Sequence, residues 1–193
     1  MPLSTYDFIS PPDLIATVAG FFNGEIALDP ASSDLANEVV GAYKYFTPEH
    51  NGLKQKWKAP NVYLYPPRNF LNAVEQPKSP ILFSQPKYFK KSAQRVWLEE
   101  AVRKYRNGEF DEGIIFLTSS EVALLTTQKL NIDFPLCVLK DHPKLYLDQE
   151  GQSVLKNSRC LGFVFYIPHP LNTEKRIADF MDLFNTVGRV YYQ

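Results

Sequence analysis

Two short segments carry the residue types that could do chemistry. In "ALDPASSD", Asp29 stands directly behind the apolar run Ile26-Ala27-Leu28 and ahead of Pro30, Ala31 and Ser32. In "NVYLYPPRNF", the run Val62-Tyr63-Leu64 ends in Tyr65-Pro66-Pro67-Arg68. Proline nitrogens cannot supply ladder hydrogen bonds, so each run reads as a strand stopped by proline with a functional group at its carboxyl end. Asp29 either caps the next helix or closes an Asx turn, or aims a carboxylate at the amino or hydroxyl groups of a cofactor whose anionic part meets the backbone N–H groups that follow. Residues 65–68 are either the rim of a pocket or only the place where a strand ends.

Other chemistries find less support. Neither G-x-G-x-x-G nor G-x-x-x-x-G-K occurs, which argues against nicotinamide dinucleotides and P-loop nucleotides. His50, His142 and His169 are scattered, so no metal is expected. Ser119 and Ser120 beside Glu121 lack the glycines of a nucleophile elbow and read as a helix cap. Cys137 and Cys160 have no C-x-x-C spacing and no leader precedes them, which predicts reduced thiols in a cytoplasmic protein. The apolar runs are too short to cross a bilayer, so no membrane role is expected.

Twenty-one Lys and Arg balance twenty-one Asp and Glu, and any attraction to a polyanion must therefore be local. The one basic stretch holds Lys87, Lys90, Lys91, Arg95, Arg103, Lys104 and Arg106, interleaved with Tyr88, Phe89, Trp97 and Tyr105. It is either a solvated helix face with its aromatics turned inward or a phosphate-contacting edge, in which Lys87, Lys90, Lys91 and Arg95 are the candidate nucleic-acid contacts.

The elements that must position Asp29 and Tyr65 follow from periodicity. A chain of 193 residues, 45% of them hydrophobic, supports one core, read as a single domain over 1–193 with an irregular, proline-punctuated insertion at about 72–91. The spacing predicts helices over 12–22, 33–43, 92–107 and 173–184, and another beginning at Glu121. Strands are predicted at 26–28, 62–64, 114–117, 161–167 and 188–192, with two more short ones on either side of a turn at 141–143. Residues 45–60 read as a loop pinned by Leu53 and Trp57. Helices between continuous apolar strands predict a three-layer α/β fold on a mixed sheet with antiparallel members toward the C-terminus. Ligands of such sheets bind outside the carboxyl ends of the strands, where Asp29 and residues 65–68 both fall.

Several segments together resemble the small phage-type DNA adenine-N6 methyltransferases. These are Tyr6 or Phe8 ahead of Ser10-Pro11, then Asp29-Pro30-Ala31-Ser32, then Tyr45-Phe46-Thr47, Gly52-Leu53 and Trp57, then Tyr65-Pro66-Pro67-Arg68. The resemblance implies an S-adenosylmethionine-dependent, Rossmann-like methyltransferase sheet and double-stranded DNA as partner. It implies that Ser10, Pro11, Asp29, Pro30 and Ala31 hold the cofactor and that Thr47 and Glu49 complete the wall. The reaction would be methyl transfer to the exocyclic amine of an adenine flipped out of the duplex.

Tyr65, Pro66, Pro67 and Arg68 then stand where the family has Asn-Pro-Pro-Tyr or Asp-Pro-Pro-Tyr. There the first residue offers a side-chain oxygen to the target amine, the next carbonyl accepts its other hydrogen, and the last ring stacks on the base. Tyr65 has no carbonyl, and Arg68 is a planar cation instead of an aromatic ring. Three functions are compatible with that change: adenine methylation with an altered target end, a catalytically inactive methyltransferase fold that binds nucleic acid or protein, and methylation of a different small molecule.

Overall fold

The computed structural model describes residues 8–68, 70–71, 91–149, 152–157 and 160–192. The chain enters on β1 (Phe8–Ile9), and two prolines set the start of α1 (Pro12–Phe21), where a missing N–H is not needed. The helix buries Leu14, Ile15, Val18 and Phe21 along one stripe. After β2 (Leu28–Asp29), the Ser33 hydroxyl accepts from the Ala36 N–H at 3.1 Å and caps α2 (Asp34–Val40). Gly41, in the left-handed region at φ 63°, stops that helix short of the predicted 43. β3 (Lys44–Tyr45), a 3₁₀ turn at Gly52–Lys54 and β4 (Ala59–Leu64) follow.

Beyond Arg68, β5 (Phe70–Leu71) pairs antiparallel with β6 (Lys91–Ser92), and this ladder joins the two ends of segment 72–90. Lys87 and Lys90 lie in that segment, outside the described residues, and Lys91 is described in its backbone alone. Then come α3 (Ala93–Arg106), β7 (Phe110–Leu117), a π-helical turn at Val122–Thr126 continuing as α4 (Thr127–Leu130), β8 (Leu136–Leu139), β9 (Lys144–Gln149), β10 (Gln152–Asn157), β11 (Phe163–Ile167), α5 (Thr173–Phe184) and β12 (Gly188–Tyr191).

The main sheet runs β12-β8-β11-β7-β4-β2-β3. Its β3, β2, β4 and β7 are mutually parallel, while β11, β8 and β12 each pair antiparallel with their neighbours. Alternation along the strands separates two cores. On one face Tyr63, Ile114, Phe116, Val164 and Tyr166 meet α1 and α5; on the other, Val62, Leu64, Ile115, Leu117 and Phe165 meet α3. The architecture is thus a mixed sheet with helices on both faces.

The two short strands expected on either side of residues 141–143 are present as β8 and β9. They do not belong to one sheet, because β8 has both edges taken by β11 and β12. β9 pairs instead with β10, a strand the periodicity did not predict, and its other edge takes β1. This three-stranded sheet leads directly into Ser10.

Candidate functional site

The order of the parallel strands fixes where a ligand site would lie. From β2 the chain moves outward through α2 to the edge strand β3; from β4 it moves the other way, through α3 to β7. β2 and β4 are neighbours whose connections depart in opposite directions, and the crevice between their carboxyl ends is the switch point of the sheet. Asp29 is the last residue of β2, and Tyr65 is the first after β4.

Asp29 is 3% exposed. Its Oδ1 accepts the Ala31 N–H at 3.0 Å, the Asx turn that its place before a proline predicts. Burial raises its pKa to about 7 against the opposing help of the Ala31 N–H and the Ser32 hydroxyl. Among the described residues no cationic side chain forms an ion pair with it. Beside it on β4, the Tyr63 hydroxyl donates to Ser10 Oγ at 2.8 Å, with both residues buried. The charge of Asp29 adds to burial in holding the Tyr63 phenol well above its usual range. Ser10 and Asp29 therefore meet across Tyr63, which the sequence reading passed over as a core residue of an apolar strand.

Tyr65 is 7% exposed and its ring lies 4.8 Å from that of Phe116. Its hydroxyl makes no hydrogen bond of ordinary geometry. Burial raises its pKa, opposed by the Arg68 charge and by the nearby Thr118 hydroxyl. Pro66 is buried, whereas Pro67 and Arg68 are half-buried. At the neighbouring end of β7, the buried Gln94 side chain accepts the Thr118 and Ser119 N–H groups at 3.1 and 3.0 Å and donates to Thr118 Oγ1 at 2.8 Å. Nothing in the sequence marks Gln94 or Thr118, since their partnership spans 24 residues.

The loop after β3 forms the other bank of the crevice. The Phe46 N–H donates to the Asp29 carbonyl, and the Ser32 N–H donates to the Phe46 carbonyl, both at 3.0 Å, which places Thr47 beside the Asp29 turn. The Thr47 hydroxyl donates to Glu49 Oε2 at 2.7 Å, a bond that lowers the pKa of this exposed carboxyl. Gly52 packs so closely on Pro30 that a Cβ there would run into the Pro30 carbonyl oxygen. The loop is pinned from beneath, where Trp57 Nε1 donates to the Gly52 carbonyl at 2.9 Å and Lys104 Nζ donates to the Gln55 carbonyl at 2.5 Å.

Among the basic residues whose side chains are described, Arg95, Arg103, Lys104 and Arg106 each have a partner within the fold. Lys104 is 3% exposed and also pairs with Glu109 Oε2 at 3.1 Å. Arg103 is bound to Glu100, and Arg106 donates to the Leu130 carbonyl. Arg95, near the start of α3, forms an ion pair with Glu99 at 2.8 Å and is the one candidate DNA contact with a described side chain. Among the described residues no helix is long and apolar enough to cross a membrane, and no group of three His, Cys, Asp or Glu residues could hold a metal ion. Comparison with protein-family models, with curated proteins and with solved structures found no match to the chain.

Proposed function

We propose that the protein is an S-adenosylmethionine-dependent methyltransferase of the DNA adenine-N6 type, with a Rossmann-like methyltransferase sheet, whose cofactor lies in the crevice between β2 and β4. The observation that carries this reading is Asp29, a buried carboxylate at the sheet switch point without a cationic partner among the described residues. A positively charged ligand group would offset that burial and draw the carboxyl into its ionised form. S-adenosylmethionine has such groups in its ammonium and sulfonium centres, so the residues present fit it. The convergence of Ser10, Asp29 and residues 65–68 on one end of the sheet supports the same reading.

In this mechanism Asp29 orients the cofactor by charge, Ser10 and Pro11 line its side, and Ala31 and Pro30 carry the turn beneath it, with Thr47 and Glu49 at the outer wall. The cofactor supplies an electrophilic methyl group when bound. The Pro66 carbonyl is the acceptor for a hydrogen of the target amine, and Arg68 forms the pocket wall on which a flipped base would lie. Double-stranded DNA is the substrate of this reading. Calorimetry with S-adenosylhomocysteine tests it: the wild type binds, and Asp29→Ala weakens binding by roughly 1.5–3 kcal/mol, the scale of a hydrogen bond to a charged group. Absence of heat and of any thermal shift at millimolar cofactor would exclude it.

The burial of Tyr65 against Phe116 favours a second reading at the target end. A side chain packed into the core does not offer an oxygen to an amine as Asn or Asp would, and the fold would then bind nucleic acid or protein without methylating it. Cofactor binding without methyl incorporation into adenine-containing DNA is the result this reading requires.

A further inference from the structure

The hydrogen bonds that Gln94 makes at the end of β7, beside Tyr65, have a direction. The Gln94 amide cannot be turned over, because its Oε1 accepts two backbone N–H groups, those of Thr118 and Ser119. Its Nε2 is then necessarily the donor to Thr118 Oγ1. Thr118 is itself buried, and the Tyr65 hydroxyl lies close enough for the threonine hydroxyl to act on its ionisation. Two hydroxyls with two hydrogens can share one mutual hydrogen bond, and the amide has already used a lone pair of one of them. One hydroxyl hydrogen remains, whichever of the two carries it. Tyr65 Oη is buried and has no partner among the described residues to receive it. A buried donor left unmade is costly in a folded protein, and such groups mark places where a ligand completes the bonding.

We propose that the Tyr65–Thr118 pair recognises an acceptor atom of the substrate, namely the unprotonated ring nitrogen beside the amine in an aminated heterocycle, with Gln94 as the positioning residue. The identity of the ring rests on the adenine reading above, where ring nitrogens flank the target amine. The direction of the hydrogen bond does not. Tyr65 then contributes selection of the ring instead of contact with the amine hydrogens, and the altered first position of the motif acquires a role. Burial keeps the phenol protonated, so the donor persists across the neutral pH range.

The test follows the ¹³Cζ signal of Tyr65 in tyrosine-labelled protein. 2-Aminopyridine, above its own pKa, has an amine beside a ring nitrogen, and aniline lacks the nitrogen. The first shifts the Tyr65 signal and the second does not. Gln94→Glu keeps both backbone bonds but turns the relay round, since the Thr118 hydrogen is drawn to the new carboxylate, and the preference for 2-aminopyridine is lost in a folded protein. In parallel, Tyr65→Phe weakens binding of a short duplex with a mismatched adenine by about tenfold. The same substitution changes the affinity for the 1-deaza or the 7-deaza analogue by less than about twofold.

A Tyr65 signal indifferent to both fragments overturns the proposal. Binding of the adenine duplex with equal losses for all three rings overturns it too, and leaves the adenine reading standing. A response to 2-aminopyridine that depends on Gln94, without any binding of the adenine duplex, upholds it and removes the adenine reading.

Discussion

The Tyr63 hydroxyl donates to Ser10 Oγ at 2.8 Å across 53 positions of sequence, and both groups are shut away from solvent. That contact ties the segment between β1 and α1 to the central strand β4, one residue before Leu64 and two before Tyr65. After burial and the Ser10 bond, the charge of Asp29 is the next influence on the Tyr63 phenol, which it helps to hold above its usual range.

Asp29 gives the site a pH dependence. Its folded pKa is about 7, above the ordinary carboxyl range, so between pH 4 and 7 the folded state holds a proton that the unfolded state has released. Stability without ligand therefore falls as pH rises through that window, by an amount on the order of 3–4 kcal/mol for a fully buried group. Asp29→Asn should flatten the dependence and be the more stable protein at pH 8 in urea titrations. Binding of a ligand through its ammonium group runs the other way: S-adenosylhomocysteine affinity should drop as pH falls below about 7, because the Asp29 proton must first leave.

Gly52 faces the Pro30 carbonyl with no room for a methyl group. Gly52→Ala must push backbone against backbone at the foot of the crevice, at a cost of about 1–3 kcal/mol. Cofactor affinity should fall along with stability. A fully stable variant would show that the loop is free to move off Pro30.

Lys104 belongs to the basic stretch by sequence and to the core by position. Its ammonium joins Gln55 to Glu109 and lies 3.5 Å from Glu100. Lys104→Ala leaves Glu109 without its cation, while Glu100 keeps Arg103, and should cost roughly 3–5 kcal/mol, read by chemical denaturation. Any loss of DNA affinity should vanish once the comparison is made under conditions where both proteins are folded.

The proposed nucleic-acid contacts are tested by neutralising Lys87, Lys90, Lys91 and Arg95 together. Duplexes of many sequences should then bind about equally more weakly, with the salt slope reduced by about one for each phosphate that no longer meets a cation. Unchanged affinity and slope in the folded variant would move the interface to Arg68 and the exposed Lys54, Lys56 and Lys58.

The motif can be changed toward the pattern of the adenine methyltransferases that it resembles. Tyr65→Asn with Arg68→Tyr should raise methyl incorporation into adenine-containing DNA above the wild type, and the pair should be assayed together and singly because neighbouring pocket residues are non-additive. Loss of activity from an active wild type would instead establish Tyr65 and Arg68 as working parts of an unusual site.

Local rules determined much of this protein. Proline at the start of α1, Ser33 before α2, Gly41 after it and the proline stops behind Asp29 and Tyr65 act within a few residues, so periodicity and caps were enough to find the principal helices, the parallel strands except the edge strand β3, and the carboxyl ends where Asp29 and Tyr65 stand. What the sequence could not decide was long-range. β9 and β10 became a separate sheet because β8 already had two neighbours. The direction of the Gln94 relay arose because a strand end and a helix start 24 residues apart meet side by side. Lys104 became a buried tie instead of a surface charge because its helix turns it toward a loop it follows by 49 residues. Hydrogen-bond satisfaction and burial depend on which distant segments meet, and only the assembled sheet brings those segments together.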